Sequence, residues 1–217
     1  MITHLPKKLV AERLTVMRGM RCIFHAVSLS AGAGEALILT GANGVGKTTL
    51  LRAVAGFLPL RGGDIRLEGT GGDEPLGAFC HYVGHHNGVK RGLTVMETLQ
   101  FFSAYLGGGT TAAGRAAERL GLAALADIPA GYLSAGQQRR LGLARLLCAP
   151  RPVWLLDEPA VSLDAPSQAL LAGMVNGHLA EGGIVLAATH TGLGWANMTE
   201  LNLEAANQET GMRADAI

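Results

Sequence analysis

Short apolar runs bounded by glycine recur along the chain, and most are too short for a helix. In the first part of the chain these runs predict β-strands at residues 9–17, 22–29, 35–40, 65–67 and 78–83. Further along, runs at 153–157 and 184–188 predict two more strands, with a helix over 165–180 between them. A strand, a helix and a strand at this spacing indicate a parallel sheet and an α/β fold.

The period of the pattern changes in the middle of the chain. Thr94 and Glu97 form a capping-box sequence, which predicts the start of a helix that runs to Tyr105. Glycines 107–109 end this helix, and two further helices are predicted over 111–120 and 135–148. Prolines shortly after residue 148 cannot continue the last helix and therefore end it.

These elements predict a single domain, residues 1–217, with a helical subdomain inserted into it. The α/β core takes in residues 1–86 and 151–217, with a β subdomain near its start, and residues 87–150 form the helical insertion. No repeat or low-complexity tract interrupts this organisation.

Charge and cysteine content exclude several classes of protein. Eighteen Lys and Arg against seventeen Asp and Glu give a net charge of +1, which argues against a protein that binds duplex nucleic acid. The three cysteines are far apart and form no CxxC pair, so neither a disulfide scaffold nor a structural zinc site is expected. No secretory signal is expected, because Glu12 and Arg13 interrupt the first apolar run, and no apolar run reaches the length that a membrane helix needs.

A glycine-rich segment between the third predicted strand and a helix-like segment has the pattern of a phosphate-binding loop. Its glycines let backbone N–H groups converge on phosphate oxygens, Lys47 reaches the outer phosphates, and the Thr48 hydroxyl suits Mg²⁺. The alternative is a glycine-rich turn with a solvated lysine, but the flanking strand and helix favour a nucleoside triphosphate site. The candidate ATP-binding residues are Gly41, Ala42, Asn43, Gly44, Val45, Gly46, Lys47, Thr48 and Thr49.

Two carboxylates end the predicted strand at 153–157. Ligands of parallel sheets bind at the carboxyl ends of strands, so Asp157 and Glu158 are expected to face the nucleotide. Asp157 suits a water-mediated contact with Mg²⁺, and Glu158 suits activation of the attacking water. The alternative is a pair of solvated acids at a strand end.

The segment Leu133-Ser134-Ala135-Gly136-Gln137 precedes the third predicted helix. Ser134 and Gln137 can form a capping box and nothing more. Ser134 and Gly136 at a helix N-terminus can equally form an anion site. The two interpretations are compatible, and the segment alone does not decide between them.

The order of these motifs resembles the ATP-binding subunits of ABC transporters over essentially the whole chain. Five motifs follow one another in the same order as in that family. They are the phosphate loop, LSAGQ at 133–137, LLDEP at 155–159, Ser162-Leu163-Asp164 and Thr189-His190. The resemblance implies an ABC-type P-loop NTPase core with an antiparallel β subdomain and a helical subdomain. It also implies an ATPase that works as a nucleotide-sandwich dimer. Ser134, Gly136, Gln137 and Asp164 would then bind ATP held by a second copy, and His190 would contact the γ-phosphate.

Two positions depart from the pattern of that family. His86 stands where most members have a glutamine that meets Mg²⁺ and the membrane partner, and imidazole protonation near neutral pH would make a metal contact conditional. Arg18 stands where an aromatic side chain usually stacks on adenine. A guanidinium can stack on a base, and a plain surface arginine is the equal alternative.

One short stretch contains four potential metal ligands, Cys80, His81, His85 and His86. Their residue types raise the alternative of a metal or haem site. Neighbouring strand residues point to opposite faces, so Cys80 and His81 are not expected to share a ligand. The stretch is therefore interpreted as structural apart from His86.

Further details resemble the subfamily that serves haem export in bacterial cytochrome c maturation. They are the stretch at 18–24, Val83-Gly84-His85-His86, the run at 133–140, and 182–185 followed by Thr189-His190. The resemblance implies a peripheral subunit at the cytoplasmic face of the inner membrane. Its partners would be the membrane proteins CcmB and CcmC, and ATP would power release of the haem-loaded chaperone CcmE. The alternatives are a subunit of another small-molecule ABC transporter, or a soluble ABC ATPase not tied to transport.

Overall fold

The computed structural model describes residues 7–70, 74–189 and 194–207. The strands are β1 (Lys8–Arg18), β2 (Arg21–Gly32), β3 (Ala36–Thr40), β4 (Gly62–Glu68), β5 (Cys80–Val83), β6 (Val153–Asp157), β7 (Ile184–Ala188) and β8 (Met198–Asn202). The helices are α1 (Lys47–Val54), α2 (Val95–Leu106), α3 (Ala112–Arg119), α4 (Ala135–Cys148) and α5 (Ala165–Ala180). The last described residues, 203–207, are also helical.

The early strands form an antiparallel sheet in the order β2-β1-β4. Leu9, Ala11, Leu14 and Val16 on β1 point inwards and are fully buried, as expected for a sheet with one face on the core. The pairing of β1 with β4 shifts register between Glu12 and Thr15. Gly63 lies against this irregularity, where a Cβ atom would come far too close to the Glu12 carbonyl oxygen.

The remaining strands form a parallel sheet in the order β5-β6-β7-β3-β8. Every residue of β6 and β7 is buried, because these central strands are covered on both faces. The carboxyl ends of β3 and β6 lie at the same edge, separated by β7 alone. The loop after β3 and the two acids after β6 are thereby placed side by side.

Two hydrophobic clusters cover the two faces of this sheet. One packs α2, α3, α4 and α5 against the face that includes Val83, Trp154 and Leu156. The other lies between the opposite face, α1 and the antiparallel sheet. The helical segment is thus attached to the sheet through a shared core.

Most predicted elements are confirmed, including the capping box at Thr94 and the end of α2 at Gly107. The predicted strand at 78–83 is too long, because Leu76–Phe79 is a 3₁₀ turn behind Pro75 and the strand begins at Cys80. Strand β8 was not predicted, since its sequence is mostly polar and exposed. The boundaries of the core and the helical subdomain stay a prediction. In the described ranges no helix combines the length and apolar character needed to cross a bilayer.

Histidine 81 gives the fold a testable dependence on pH. Its side chain on β5 is 3% exposed, and Nε2–H donates to the Ala149 carbonyl at 2.8 Å. Burial lowers the pKa of His81 to about 4, and the bond to Ala149 opposes the shift only in part. Because the native histidine stays neutral while the unfolded one protonates near its ordinary pKa, stability is full at neutral pH and falls as the pH drops towards 4.

We expect His81 to cost the wild-type protein about 2 kcal/mol of unfolding free energy between pH 7 and pH 5. His178, whose pKa burial also lowers to about 4, adds a loss in the same direction. Gln at position 81 keeps a donor for Ala149 without titrating, so His81→Gln should remove about half of the total loss. Urea unfolding at the two pH values measures this. An unchanged pH dependence in His81→Gln would contradict the assignment.

Candidate active site

The phosphate-binding loop lies between β3 and α1. Gly41, Gly44 and Gly46 all have positive φ angles, of 127°, 85° and 116°, which favour glycine. Gly46 is also packed tightly, because a Cβ atom there would lie 2.9 Å from Ile23 Cγ2 on β2. Within the described chain no side chain caps the N-terminus of α1. The loop therefore presents backbone N–H groups and the positive end of a helix to an anion.

Lys47 begins α1 and folds back over the loop. Its side chain is buried, and Nζ donates to the carbonyl oxygens of Gly41 at 2.6 Å and Ala42 at 3.1 Å. The N–H of Ala42 in turn donates to Glu204 Oε1 at 3.1 Å, which fixes the start of the loop from the far end of the chain. These contacts hold a positive charge against the loop that would receive phosphate.

Asp157 connects the loop to the end of β6. Thr48 Oγ1 donates to Asp157 Oδ1 at 3.0 Å, and the Tyr82 hydroxyl lies 3.4 Å from Asp157 Oδ2. Burial, followed by the charge of Asp157, raises the pKa of Tyr82 to about 12, so the phenol remains a donor. Hydroxyl and carboxylate oxygens are the ligands that Mg²⁺ prefers. Thr48 and Asp157 therefore fit one magnesium ion.

Glu158 leaves the strand in an uncommon backbone conformation. Its φ of 48° lies in the left-handed region, and its N–H donates to the Ala188 carbonyl of β7 at 2.8 Å. For a non-glycine residue this conformation costs roughly 1 kcal/mol and persists only where neighbours hold it. A half-buried carboxylate next to the Thr48–Asp157 pair can orient a water molecule and accept its proton.

The N-terminus of α4 carries the capping box that the sequence predicted. Gln137 N–H donates to Ser134 Oγ at 3.2 Å, and Ser134 N–H donates to Gln137 Oε1 at 2.8 Å. Gly136 packs near the turn before α5, where a Cβ atom would lie 3.2 Å from the Ser162 carbonyl oxygen. The cap explains these residues locally and leaves Ser134 on the surface.

The turn between β6 and α5 is held at both ends. Ser162 has a φ of 66°, and Leu163 is buried beneath it. Asp164 caps α5 by accepting from Ser167 N–H at 3.0 Å. The bonds from Ser167 lower the pKa of the Asp164 carboxyl group. The exposed side of this turn lies beside the α4 N-terminus.

The remaining predicted residues are dispersed. His86 is exposed on the turn after β5, with its ring centroid 5.6 Å from that of His85. Arg18 is exposed at the end of β1, opposite Arg21 in the hairpin. His190 lies outside the described residues. The site thus brings together the phosphate loop and the β6 acids, with His86 at the same edge of the sheet.

The Cys and His cluster near β5 does not converge on one point. Cys80 lies in the cluster beneath the antiparallel sheet, and burial raises the pKa of its thiol to about 12. His81 points the other way and is bonded to Ala149, while His85 and His86 are exposed. In the part of the chain that the structure covers, no three His, Cys, Asp or Glu side chains form a group that could hold a metal ion.

Sequence reasoning missed two residues that contact the site. Tyr82 was assigned only to a strand, and Arg139 only to a helix, yet Tyr82 meets the Asp157 carboxylate and Arg139 meets the backbone of Asp157 and Glu158. Burial lowers the pKa of Arg139. The single signal was an arginine on the helix face that otherwise carries apolar residues such as Leu143 and Leu146.

This fold and this site define an ATP-binding domain of the P-loop type with an inserted helical segment. A family model described as "ABC transporter" matches residues 24–161, and the chain belongs to that family. Membership implies ATP binding and ATP hydrolysis.

Within the family the chain is similar to the cytochrome c biogenesis ATP-binding export protein CcmA of several bacteria. It is 49% identical to that of Rhizobium meliloti (strain 1021), over 90% of this chain and 97% of the relative. It is 50% identical to that of Agrobacterium fabrum (strain C58), over 90% and 94%.

Solved structures agree with the fold. An ATP-binding protein of an ABC transporter from Pyrococcus furiosus superposes with a TM-score of 0.77 at 25% identity, over 91% of this chain and 98% of that one. The ATP-binding subunit of another ABC transporter gives a TM-score of 0.78 at 20% identity, over 94% of both chains.

Proposed function

We propose that the chain is the ATP-hydrolysing subunit of an ABC transport complex for haem export in cytochrome c maturation, where it powers release of a haem-loaded chaperone. The observation that carries the proposal is its 45–50% identity, over about nine-tenths of its length, to export proteins of cytochrome c biogenesis. The assembled Lys47, Thr48 and Asp157 site supports the ATPase part.

ATP binds with its phosphates on the loop at 41–49, where backbone N–H groups and Lys47 neutralise their charge. Thr48 and Asp157 would hold Mg²⁺, with a contact from His86 through water, and the ion would offset negative charge on the outer phosphates. Glu158 orients the attacking water and accepts its proton, so that ATP and water give ADP and phosphate.

Further contacts to ATP come from residues outside the loop. His190 contacts the γ-phosphate, and Arg18 stacks on the adenine ring.

A second copy of the chain completes the site. Ser134, Gly136 and Gln137 at the exposed N-terminus of α4, with Asp164 nearby, approach the γ-phosphate held by the other copy. Three features support this arrangement: the exposure of Ser134, the uncharged start of the helix, and the packing of Gly136 against the Ser162 turn. Each dimer then binds two ATP molecules between its subunits.

The membrane subunits dock at the turn that bears His86 and along α2. Phe101 and Tyr105 on α2 are 54% and 76% exposed, and their rings stack with centroids 5.8 Å apart. Exposed neighbouring aromatics of this kind are typical of a binding surface. The proposed partners are CcmB and CcmC, with the chaperone CcmE engaged indirectly. The subunit would then lie peripherally at the cytoplasmic face of the bacterial inner membrane.

Deletion and complementation test this function. A strain that lacks the gene should lose c-type cytochromes, as seen by haem staining, and the wild-type gene should restore them. His86→Gln should also restore them, because glutamine can make the same water-mediated contact. The wild-type protein should sediment with membranes only when its membrane subunits are co-expressed.

Normal c-type cytochromes in the deletion strain would contradict haem export and leave the ATPase assignment intact. That outcome would favour a subunit of another small-molecule ABC transporter. A protein that stays off membranes despite its partners would favour an ABC ATPase not tied to transport.

A further inference from the structure

Arg139 lies on the first turns of α4, and its side chain is only 3% exposed. The guanidinium group contacts the backbone that follows β6. Nη2 donates to the carbonyl oxygens of Asp157 at 3.2 Å and Glu158 at 2.6 Å, and Nε donates to that of Pro159 at 3.1 Å. Three consecutive carbonyls, centred on the left-handed Glu158, are therefore held by one side chain.

The same guanidinium group also contacts the turn after β5. Nη1 donates to the Gly84 carbonyl at 2.9 Å and to Asn87 Oδ1 at 3.1 Å, and these two residues flank His86. Gly142, three residues further along α4, packs so closely on this turn that a Cβ atom would lie 3.0 Å from Asn87 Cβ. Helix α4 and the His86 turn are thus in direct contact on the face that carries Arg139.

These five hydrogen bonds use all five N–H donors of an arginine side chain. Each donor meets a separate acceptor, so the buried charge is fully hydrogen-bonded despite its desolvation. A lysine has three donors and no planar fork, so it could replace at most three of these five hydrogen bonds. The arrangement is therefore specific for arginine.

We propose that Arg139 is a positioning residue that fixes the backbone of Glu158 for water activation and joins it to the His86 turn and to α4. The inference rests on the proposed role of Glu158. Since the guanidinium group binds the backbone of Glu158 and not its carboxylate, it fixes the position from which the carboxylate extends. Arg139 then links the Glu158 backbone to two proposed contact regions. One is the His86 turn, which is proposed to meet the membrane subunits, and the other is α4, which is proposed to meet the second copy.

Steady-state ATP hydrolysis of Arg139→Lys and Arg139→Met tests this. We expect kcat to fall about 10- to 100-fold, as for a small misplacement of a reacting group, while KM changes less than about twofold. The matched control is Arg140→Lys. Arg140 is the next residue of α4, and its Nη1 donates to the Leu120 carbonyl within the helical segment. Because Arg140→Lys also keeps the positive charge, this variant should keep wild-type kcat. An unchanged kcat in both Arg139 variants would overturn the inference.

A double-mutant cycle of Arg139 and Glu158 separates an effect on the position of Glu158 from a general loss of structure. If Arg139 acts through Glu158, Arg139→Lys should slow the wild-type protein but have no further effect on the residual single-turnover rate of Glu158→Gln. Additive losses would overturn the inference. Wild-type turnover in Glu158→Gln itself would instead overturn the proposed role of Glu158, so the two failures are distinguishable.

Asn87→Ala keeps the inference testable if the Arg139 variants do not fold. It removes one of the five acceptors and leaves the bonds to the Glu158 backbone in place. We expect a kcat lower by about 2- to 10-fold, in keeping with the loss of one hydrogen bond, and faster amide exchange at residues 84–87 and at the N–H groups of Glu158, Ala160 and Val161. Unchanged kcat and unchanged exchange would overturn the link between the turn and Glu158.

Discussion

Glu158→Gln is expected to reduce ATP turnover by about 10²- to 10⁴-fold and to leave ATP binding intact, because an amide cannot accept the proton of the attacking water. The substitution preserves the size of the side chain, and the bond from Glu158 N–H to the Ala188 carbonyl involves only backbone. With ATP bound, the variant should therefore accumulate as a stable dimer, whereas the wild-type dimer would dissociate after it hydrolyses ATP. Phosphate release measures turnover, and light scattering with ATP and Mg²⁺ measures the dimer.

The matched control for this result is Glu200→Gln, which makes the same chemical change at an exposed position on β8. It should keep wild-type turnover and form no long-lived dimer. Undiminished hydrolysis in Glu158→Gln would remove the catalytic assignment, whatever the dimer does.

Lys47→Ala should fail at an earlier step. Removing the ammonium group deletes a charge-assisted contact to phosphate, and we expect ATP affinity to fall about 10- to 100-fold. The variant also loses the bonds from Nζ to the Gly41 and Ala42 carbonyls, which adds to the effect by loosening the loop. Titration with a fluorescent ATP analogue measures the affinity directly.

Lys90→Ala controls for the loss of one positive charge, since Lys90 is exposed and lies outside the phosphate loop. It should bind ATP as the wild type does. Wild-type affinity in Lys47→Ala would mean that the loop does not hold the phosphates. The two variants therefore separate binding from chemistry: ATP-driven dimers are expected in Glu158→Gln and absent in Lys47→Ala at the same nucleotide concentration.

Local patterns predicted the parts of the site that depend on local geometry. The phosphate loop could be predicted because glycine spacing, a preceding strand and a following helix all lie within about twenty residues of sequence. Asp157 could be placed because a fully apolar strand ends there, and parallel strands end at a common edge. Strand β8 escaped prediction because an edge strand that is exposed lacks the apolar pattern of its neighbours.

Long-range contacts could not be predicted in the same way. Tyr82 meets Asp157 across 75 positions of sequence, and Arg139 meets Gly84 across 55. In both cases the residue type is compatible with its strand or helix, so nothing in the local pattern marks it. Arg139 shows the physical reason most plainly: its partners are mainly backbone carbonyls, which every residue has and which leave no trace in the sequence.

The position of β3 within its sheet has a consequence for the order in which the chain is made. Strand β3 carries the phosphate loop and is synthesised early, yet its hydrogen-bonded neighbours in the sheet are β7 and β8, about 150 residues later. The contact from Ala42 to Glu204 has the same long span. Contacts between distant segments form slowly and only once both segments exist. On the ribosome, the phosphate-binding loop therefore lacks its support from β7, β8 and Glu204 until residues 184–204 have emerged, and only its contacts with β2 and α1 can form before then.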